Sequence, residues 1–319
     1  MSRLCRLLII LTGAVLLLAA VLGGVGAYML RVALQPASDA RDLKAAWAAQ
    51  RRDYPHIRPW LDSIRLHHAL RDTSVAAVTD GARLHAWYLP AVRPTGRTAL
   101  LVHGYTDNAL RMLMLGYMYQ HDLGCNILLP DLRGAGRTEG DHFQMGWLDR
   151  LDVRQWTDVA QHIFGQDSAR MVLHGVSMGA ATVMMLSGEA DLPASVRAFV
   201  ADCGYTSVWD EFRGELRSRY GLPPFPVLHA ASAVCRLRYG WSFGQASALR
   251  AVARCHRPML FIHGTADTYV PFWMMDSLYA AKPQPKQRWA VPGVTHAQSY
   301  RTFPQAYTRH VAHFLQPCW

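Results

Sequence analysis

The run His174-Gly175-Val176-Ser177-Met178-Gly179 sets the reading of this chain. Its core, Gly-x-Ser-x-Gly, is the pattern of a nucleophile elbow, where a serine sits at the tip of a sharp strand-to-helix turn. The backbone there is strained. Side chains two residues before and after the serine would collide, so Gly175 and Gly179 supply the room. The flanks agree with this geometry. Arg170 to His174 (RMVLH) is short and apolar, fit for a buried strand. Met178 to Gly188 (MGAATVMMLSG) is small and apolar, as in a helix packed on a sheet. The five-residue pattern is weak alone, because Gly and Ser are common. The strand before it, the helix after it and the partners further along give it weight.

On both sides of this run, short apolar segments alternate with helical ones. Ser74 to Val78 and Arg83 to Leu89 predict an antiparallel edge pair, joined by the turn signal Thr79-Asp80-Gly81. Thr98 to Val102, Asn126 to Pro130, Val196 to Ala201, Pro258 to His263 and Lys286 to Val291 predict further strands. Helices are expected near Leu110 to His121, Leu148 to Phe164, Phe272 to Ala281 and Tyr300 to Leu315. This alternation predicts an α/β fold: a mostly parallel central sheet with helices on both faces. In such sheets ligands bind at the carboxyl ends of the strands. Residues 205–250 interrupt the pattern with prolines, aromatics and arginines, and we expect a small helical cap there. The main domain is expected over 71–319.

A serine hydroxyl needs a base within hydrogen-bond reach, and that base needs an orienting carboxylate. The order expected for this topology is Ser, then acid, then His. After Ser177, Asp267 follows the strand PMLFIH, and His296 follows the last strand in Pro292-Gly293-Val294-Thr295-His296. Each lies just beyond a strand's carboxyl end, which predicts the triad Ser177, Asp267 and His296. Asp202, after the strand that follows the elbow helix, is the alternative acid. Asp131 and Arg133 are read as loop braces. The negative oxygen of a tetrahedral intermediate needs preorganised donors. One is expected from the Met178 N–H. The other is expected from the Tyr105 N–H in the loop His103-Gly104-Tyr105-Thr106-Asp107-Asn108, where Gly104 permits the turn and His103 braces it.

The pieces HGYTDN (103–108), PDLRGAGRTEGDH (130–142), HGVSMGAAT (174–182), ADCGYTS (201–207), HGTADTYVP (263–271) and VTHAQSY (294–300) resemble those of the α/β-hydrolases. Within that superfamily the chain is similar to membrane-anchored or exported bacterial serine hydrolases described as peptidase-like or lipase-like. The resemblance covers roughly residues 75–315. It implies a covalent acyl-enzyme on Ser177, with Tyr105 and Met178 as oxyanion donors. The expected activity is hydrolysis of carboxylic esters, with amides and thioesters as further candidates. The expected substrate is a small-molecule or lipid-like ester, with no cofactor or metal. An acyltransferase using the same acyl-enzyme, and a non-catalytic binding protein retaining the fold, are the alternatives.

Residues Leu7 to Leu30 form 24 positions without a charge, long enough to cross a bilayer. Residues 1–31 are read as a single-pass membrane anchor. A cleaved signal peptide is the competing reading, but no clean small-residue cut site closes the run. Residues 32–70 are read as a helical linker. Basic residues after the span (Arg31, Arg41, Lys44, Arg51, Arg52) favour a cytoplasmic domain by charge counting. A short tail with a signal-like start favours export, which is the expectation adopted; a secreted form and a cytoplasm-facing form are the alternatives. The net charge is +10, yet the basic residues are scattered, so no nucleic-acid partner is expected, and no obligate protein partner is evident. The six cysteines show no metal-ligand spacing. Cys203, Cys235 and Cys255 could include one disulfide.

Overall fold

The computed structural model describes residues 2–36, 38–165 and 169–319. Met1 of the N-terminal segment, Ala37 of the connection and residues 166–168 of the main domain lie outside them. The strands are β1 (Arg71–Ala76), β2 (Arg83–Leu89), β3 (Arg97–Val102), β4 (Asn126–Asp131), β5 (Arg170–Val176), β6 (Val196–Asp202), β7 (Met259–Gly264) and β8 (Lys286–Val291). They form one sheet in the order β1-β2-β4-β3-β5-β6-β7-β8. β2 runs antiparallel to both neighbours, and the other pairs are parallel. β3, β4, β5 and β7 are buried along nearly their whole length, as expected of parallel strands covered on both faces.

The helices are α1 (Arg3–Leu34), α2 (Leu43–Asp53), α3 (Arg58–Leu66), α4 (Leu113–Tyr117), α5 (Asp149–Phe164), α6 (Met178–Leu186), α7 (Val208–Tyr220), α8 (Val227–Tyr239), α9 (Ala248–Val252), α10 (Trp273–Ala281), α11 (Ser299–Thr302) and α12 (Pro304–Leu315). Two expected helices are broken. The stretch 109–122 is a 3₁₀ turn, then α4, then a π-helical turn. The last helix divides into α11 and α12 at Phe303, because the residue before Pro304 is driven out of the helical region, with φ −133° and ψ 59°.

The chain divides into two compact units. The larger runs over residues 36–207 and 247–319 and contains the sheet. Its core joins sheet residues such as Leu101, Ile127, Val172 and Leu260 to Ile57, Trp60, Leu61 and Ile64 from the 32–70 stretch. Arg133 spans Asp152 and Asp80 by paired hydrogen bonds, and Asp131 accepts from the Ala109 and Arg137 N–H groups, so both tie loops together.

The smaller unit joins the chain up to Gln35 with Val208–Ala246. α1 is 32 residues long, apolar, and long enough to cross a membrane. Its C-terminal part packs against α8. A Cβ at Gly26 would stand 2.8 Å from the Ala230 carbonyl carbon, so glycine allows the two backbones to approach. Leu216, Leu228, Ala231, Cys235, Trp241 and Phe243 are buried in this unit. All six cysteines are free thiols.

Candidate active site

The elbow is built as its glycines require. Ser177 follows β5 with φ 56° and ψ −119°, in a region that L-residues rarely occupy, and α6 starts immediately after it. A Cβ at Gly175 would run into the Gly179 carbonyl, and one at Gly179 would run into the Val102 and His103 carbonyls. Four of the six non-glycine residues with positive φ among those described lie at this site: Thr106, Ser177, Cys203 and Ala297. Each ends or turns a loop at the sheet's carboxyl edge. Strain gathered in one place marks backbone held by its surroundings.

Three side chains far apart in the sequence meet here. His296 Nε2 lies 2.8 Å from Ser177 Oγ, and His296 Nδ1 lies 2.7 Å from Asp267 Oδ2. Asp267 Oδ1 accepts from the Tyr269 and Val270 N–H groups, each at 3.0 Å. With Nδ1–H donating to the carboxylate, Nε2 carries the lone pair that accepts the serine hydroxyl. His263, which the sequence reading did not single out, also faces Asp267. Its Nε2–H points at the Val270 carbonyl at 2.8 Å, with Asp267 Oδ2 at 3.2 Å. Burial pushes the Asp267 pKa up, but the hydrogen bonds and charge of His263 and His296 outweigh it and hold the group at about 2. Asp267 is therefore ionised across the ordinary pH range.

Asp202 is placed differently. Its backbone carbonyl accepts the Ser177 N–H at 2.8 Å, which fixes the elbow, while its side chain points into a buried polar chain. Tyr307 O–H donates to Asp202 Oδ2 at 2.9 Å, and His174 Nε2 lies 2.9 Å from the same phenol oxygen. Since the only phenolic proton of Tyr307 goes to the carboxylate, His174 must donate from Nε2. Its Nδ1 then accepts the Tyr119 hydroxyl at 3.0 Å. Burial raises the Asp202 pKa to about 6 and lowers that of His174 to about 3. Asp202 Oδ1 is buried without a hydrogen-bond partner.

The loop after β3 borders the serine: a Cβ at Gly104 would lie 3.4 Å from Ser177 Cβ. His103 is fully buried. Its Nδ1 donates to the Gly104 carbonyl at 2.8 Å and its Nε2 accepts the Leu132 N–H at 2.9 Å, so it bridges two loops as a neutral ring. Desolvation lowers its pKa accordingly. The Tyr105 ring packs edge-on against Phe143, with centroids 4.9 Å apart. Met178 opens α6, where the first N–H groups have no partner within the helix. Ligating atoms of Cys203, Asp267 and His296 lie within 4.8 Å of one another. They fit a metal poorly, because both ring nitrogens of His296 are already engaged and burial holds the Cys203 thiol well above its usual pKa.

The sequence profile of the alpha/beta hydrolase family matches residues 99–310. The chain belongs to the α/β-hydrolase family. It is 29% identical over 228 residues to the uncharacterised protein YqkD of Bacillus subtilis, covering 72% of this chain and 74% of that one. It is 31% identical over 216 residues to the alpha/beta hydrolase domain-containing protein WAV2 of Arabidopsis thaliana, covering 63% of each. Among solved structures it is similar in fold to the Pyrococcus furiosus esterase Pf2001, with a TM-score of 0.62, 20% identity, and coverage of 78% of this chain and 92% of that one. The acylaminoacyl peptidase of Pyrococcus horikoshii is similar too, with a TM-score of 0.57, 16% identity, and coverage of 77% and 40% respectively.

Proposed function

We propose that this protein is a serine hydrolase of carboxylic esters, carried by α1 as a single-pass membrane anchor. The observation that carries the reading is the line from Ser177 Oγ through His296 to Asp267 Oδ2, two contacts of 2.8 and 2.7 Å in one site. The Ser177 oxygen attacks the ester carbonyl as His296 Nε2 takes the hydroxyl proton. Asp267 holds the ring by Nδ1–H and stabilises the imidazolium that forms. The tetrahedral oxygen accepts from the Met178 and Tyr105 N–H groups. Collapse expels the alcohol, which receives the proton from His296 and leaves an acyl group on Ser177. Water then attacks that ester, giving its proton to His296, and the carboxylic acid leaves as the proton returns to Ser177.

The fold neighbours include an esterase and an acylaminoacyl peptidase, so the same chemistry on amides is the nearest variation. The test is a fluorophosphonate probe on the full chain in detergent, with a panel of chromogenic esters, thioesters and aminoacyl amides. Wild type is expected to label and to turn over esters, and Ser177→Ala to do neither. Equal labelling of the two, or no labelling of folded wild type, overturns the proposal.

A further inference from the structure

The smaller unit shows more than a helix able to cross a membrane. α1 changes character along its length. From Arg3 to Val21 its described residues are exposed on all sides. At about 1.5 Å per residue that stretch reaches roughly 28 Å, close to the ~30 Å hydrocarbon core of a bilayer. Further on, Leu22, Gly23, Gly26, Met29, Leu30, Ala33 and Leu34 recede from solvent at three- and four-residue spacing. Gly26 is where the backbone of α8 comes closest, at Ala230. α8 is therefore fastened to the part of α1 directly next to the exposed span.

The chain leading into α8 is unusual for a surface in water. Tyr220 at the end of α7 and Leu222 and Phe225 in the short connection to α8 are exposed, Phe225 to 72%. Burial along α1 reaches four residues before Gly26 and eight beyond it, and α8 extends three residues before Ala230 and nine beyond it, so the two helices run side by side in the same direction with the start of α8 toward Val21. The connection thus lies near the level at which α1 becomes bare. Arg217 and Arg219 precede it in the last turn of α7, Arg219 paired with Glu215, and no acidic residue follows before Ala246. Aromatic side chains with arginines are the composition favoured at the headgroup level, and the basic excess complements anionic lipid.

We infer that the connection between α7 and α8 is a membrane-surface contact: Tyr220, Leu222 and Phe225 seat in the headgroup region of an anionic bilayer, beside the span of α1. This rests on the anchor reading of α1. The contact makes α7 and α8 a peripheral membrane element with two attachments, the packed helix α1 and the aromatic connection. A second copy of the chain is the competing occupant of the same apolar surface.

The experiment uses the full chain in vesicles of phosphatidylcholine and phosphatidylglycerol, with Cys5→Ser and Cys318→Ser removing the two cysteines that are not buried. Leu222→Cys, Phe225→Cys and the control Val92→Cys each carry an environment-sensitive fluorophore. Labels at 222 and 225 are expected to emit to the blue of the control and to be quenched several-fold more by lipids spin-labelled near the headgroup. Quenching as weak as at 92, with the chain retained in the membrane after alkaline extraction, overturns this inference and leaves the anchor standing. Release of the chain by that extraction overturns both. A blue shift without lipid quenching points to a second copy and overturns the lipid contact.

Discussion

Asp267 and Asp202 end neighbouring regions of the same sheet edge, yet their surroundings drive them to opposite protonation behaviour. Asp267 has two histidines and two backbone N–H donors and is held at about 2; Asp202 has one phenol donor and one bare oxygen and rises to about 6. Only Asp267 touches His296 within hydrogen-bond distance in this arrangement. Asp267→Asn is expected to lower kcat by about 10⁴-fold, because the amide favours the wrong imidazole tautomer. Asp202→Asn should retain most turnover. Steady-state ester hydrolysis checks both, and the reverse ranking would move the acid to Asp202. Stability gives a second measurement. The unfolded chain loses the Asp202 proton near 3.8, the folded chain only near about 6. Over that interval the unfolded state binds fewer protons, so Asp202 costs stability as pH rises from about 4 to about 6, and the cost then stays level. Its ceiling is about 3 kcal/mol. Asn imitates the protonated acid, so the advantage of Asp202→Asn over wild type should grow by up to about 2 kcal/mol between pH 4.5 and pH 8. Urea denaturation at the two values checks it, and a pH-independent difference would refute it.

The elements differ in how far their sequence announces them. The elbow, the edge pair β1–β2 and the acid and histidine loops are written in short local patterns: two glycines, a period of two, a loop after an apolar strand. Those patterns single out Ser177, Asp267 and His296 as candidates, and the structure brings the three side chains into one hydrogen-bonded line, with His296 between the other two. The chain Tyr119–His174–Tyr307–Asp202 has no such signature, because its members come from four elements and one link spans 133 residues. Burial without a local motif leaves no periodic trace. The same holds for His263, which reads as one more apolar-strand residue in PMLFIH. Tyr307 of α12 is the centre of this chain, binding β5 through His174 and β6 through Asp202. Tyr307→Phe keeps the ring but leaves both groups without their partner in a dry interior, and is expected to destabilise the protein by at least about 2 kcal/mol. Thermal or urea unfolding measures this. A change below a few tenths of a kcal/mol would mean that water or a rearranged side chain replaces the phenol.

At the scale of the molecule, the informative division is not the one along the chain. A sequence reading sets the N-terminal helix apart as an anchor and assigns residues 205–250 to the main domain. The structure instead groups α1 with α7 and α8, and that pairing depends on Gly26 and Ala230, small residues about two hundred positions apart that no periodic pattern links. Removing the hydrophobic N-terminus to obtain a soluble enzyme therefore does two things. It leaves the main core untouched, since among the described residues that cluster draws on nothing before Leu43. It also strips α8 of the helix packed at Ala230 and Ala231. A chain lacking residues 1–35 is thus expected to keep fluorophosphonate labelling of Ser177 while α7 and α8 loosen. Trypsin should cut at Arg213, Arg217, Arg219, Arg236 or Arg238 many times faster than in the full chain held in detergent, with the fragments identified by mass. Equal cleavage rates would show that α7 and α8 hold their fold without α1. Faster cleavage would mean that substrate panels measured on the truncated protein describe a damaged unit, and that the full chain is the form on which specificity has to be measured.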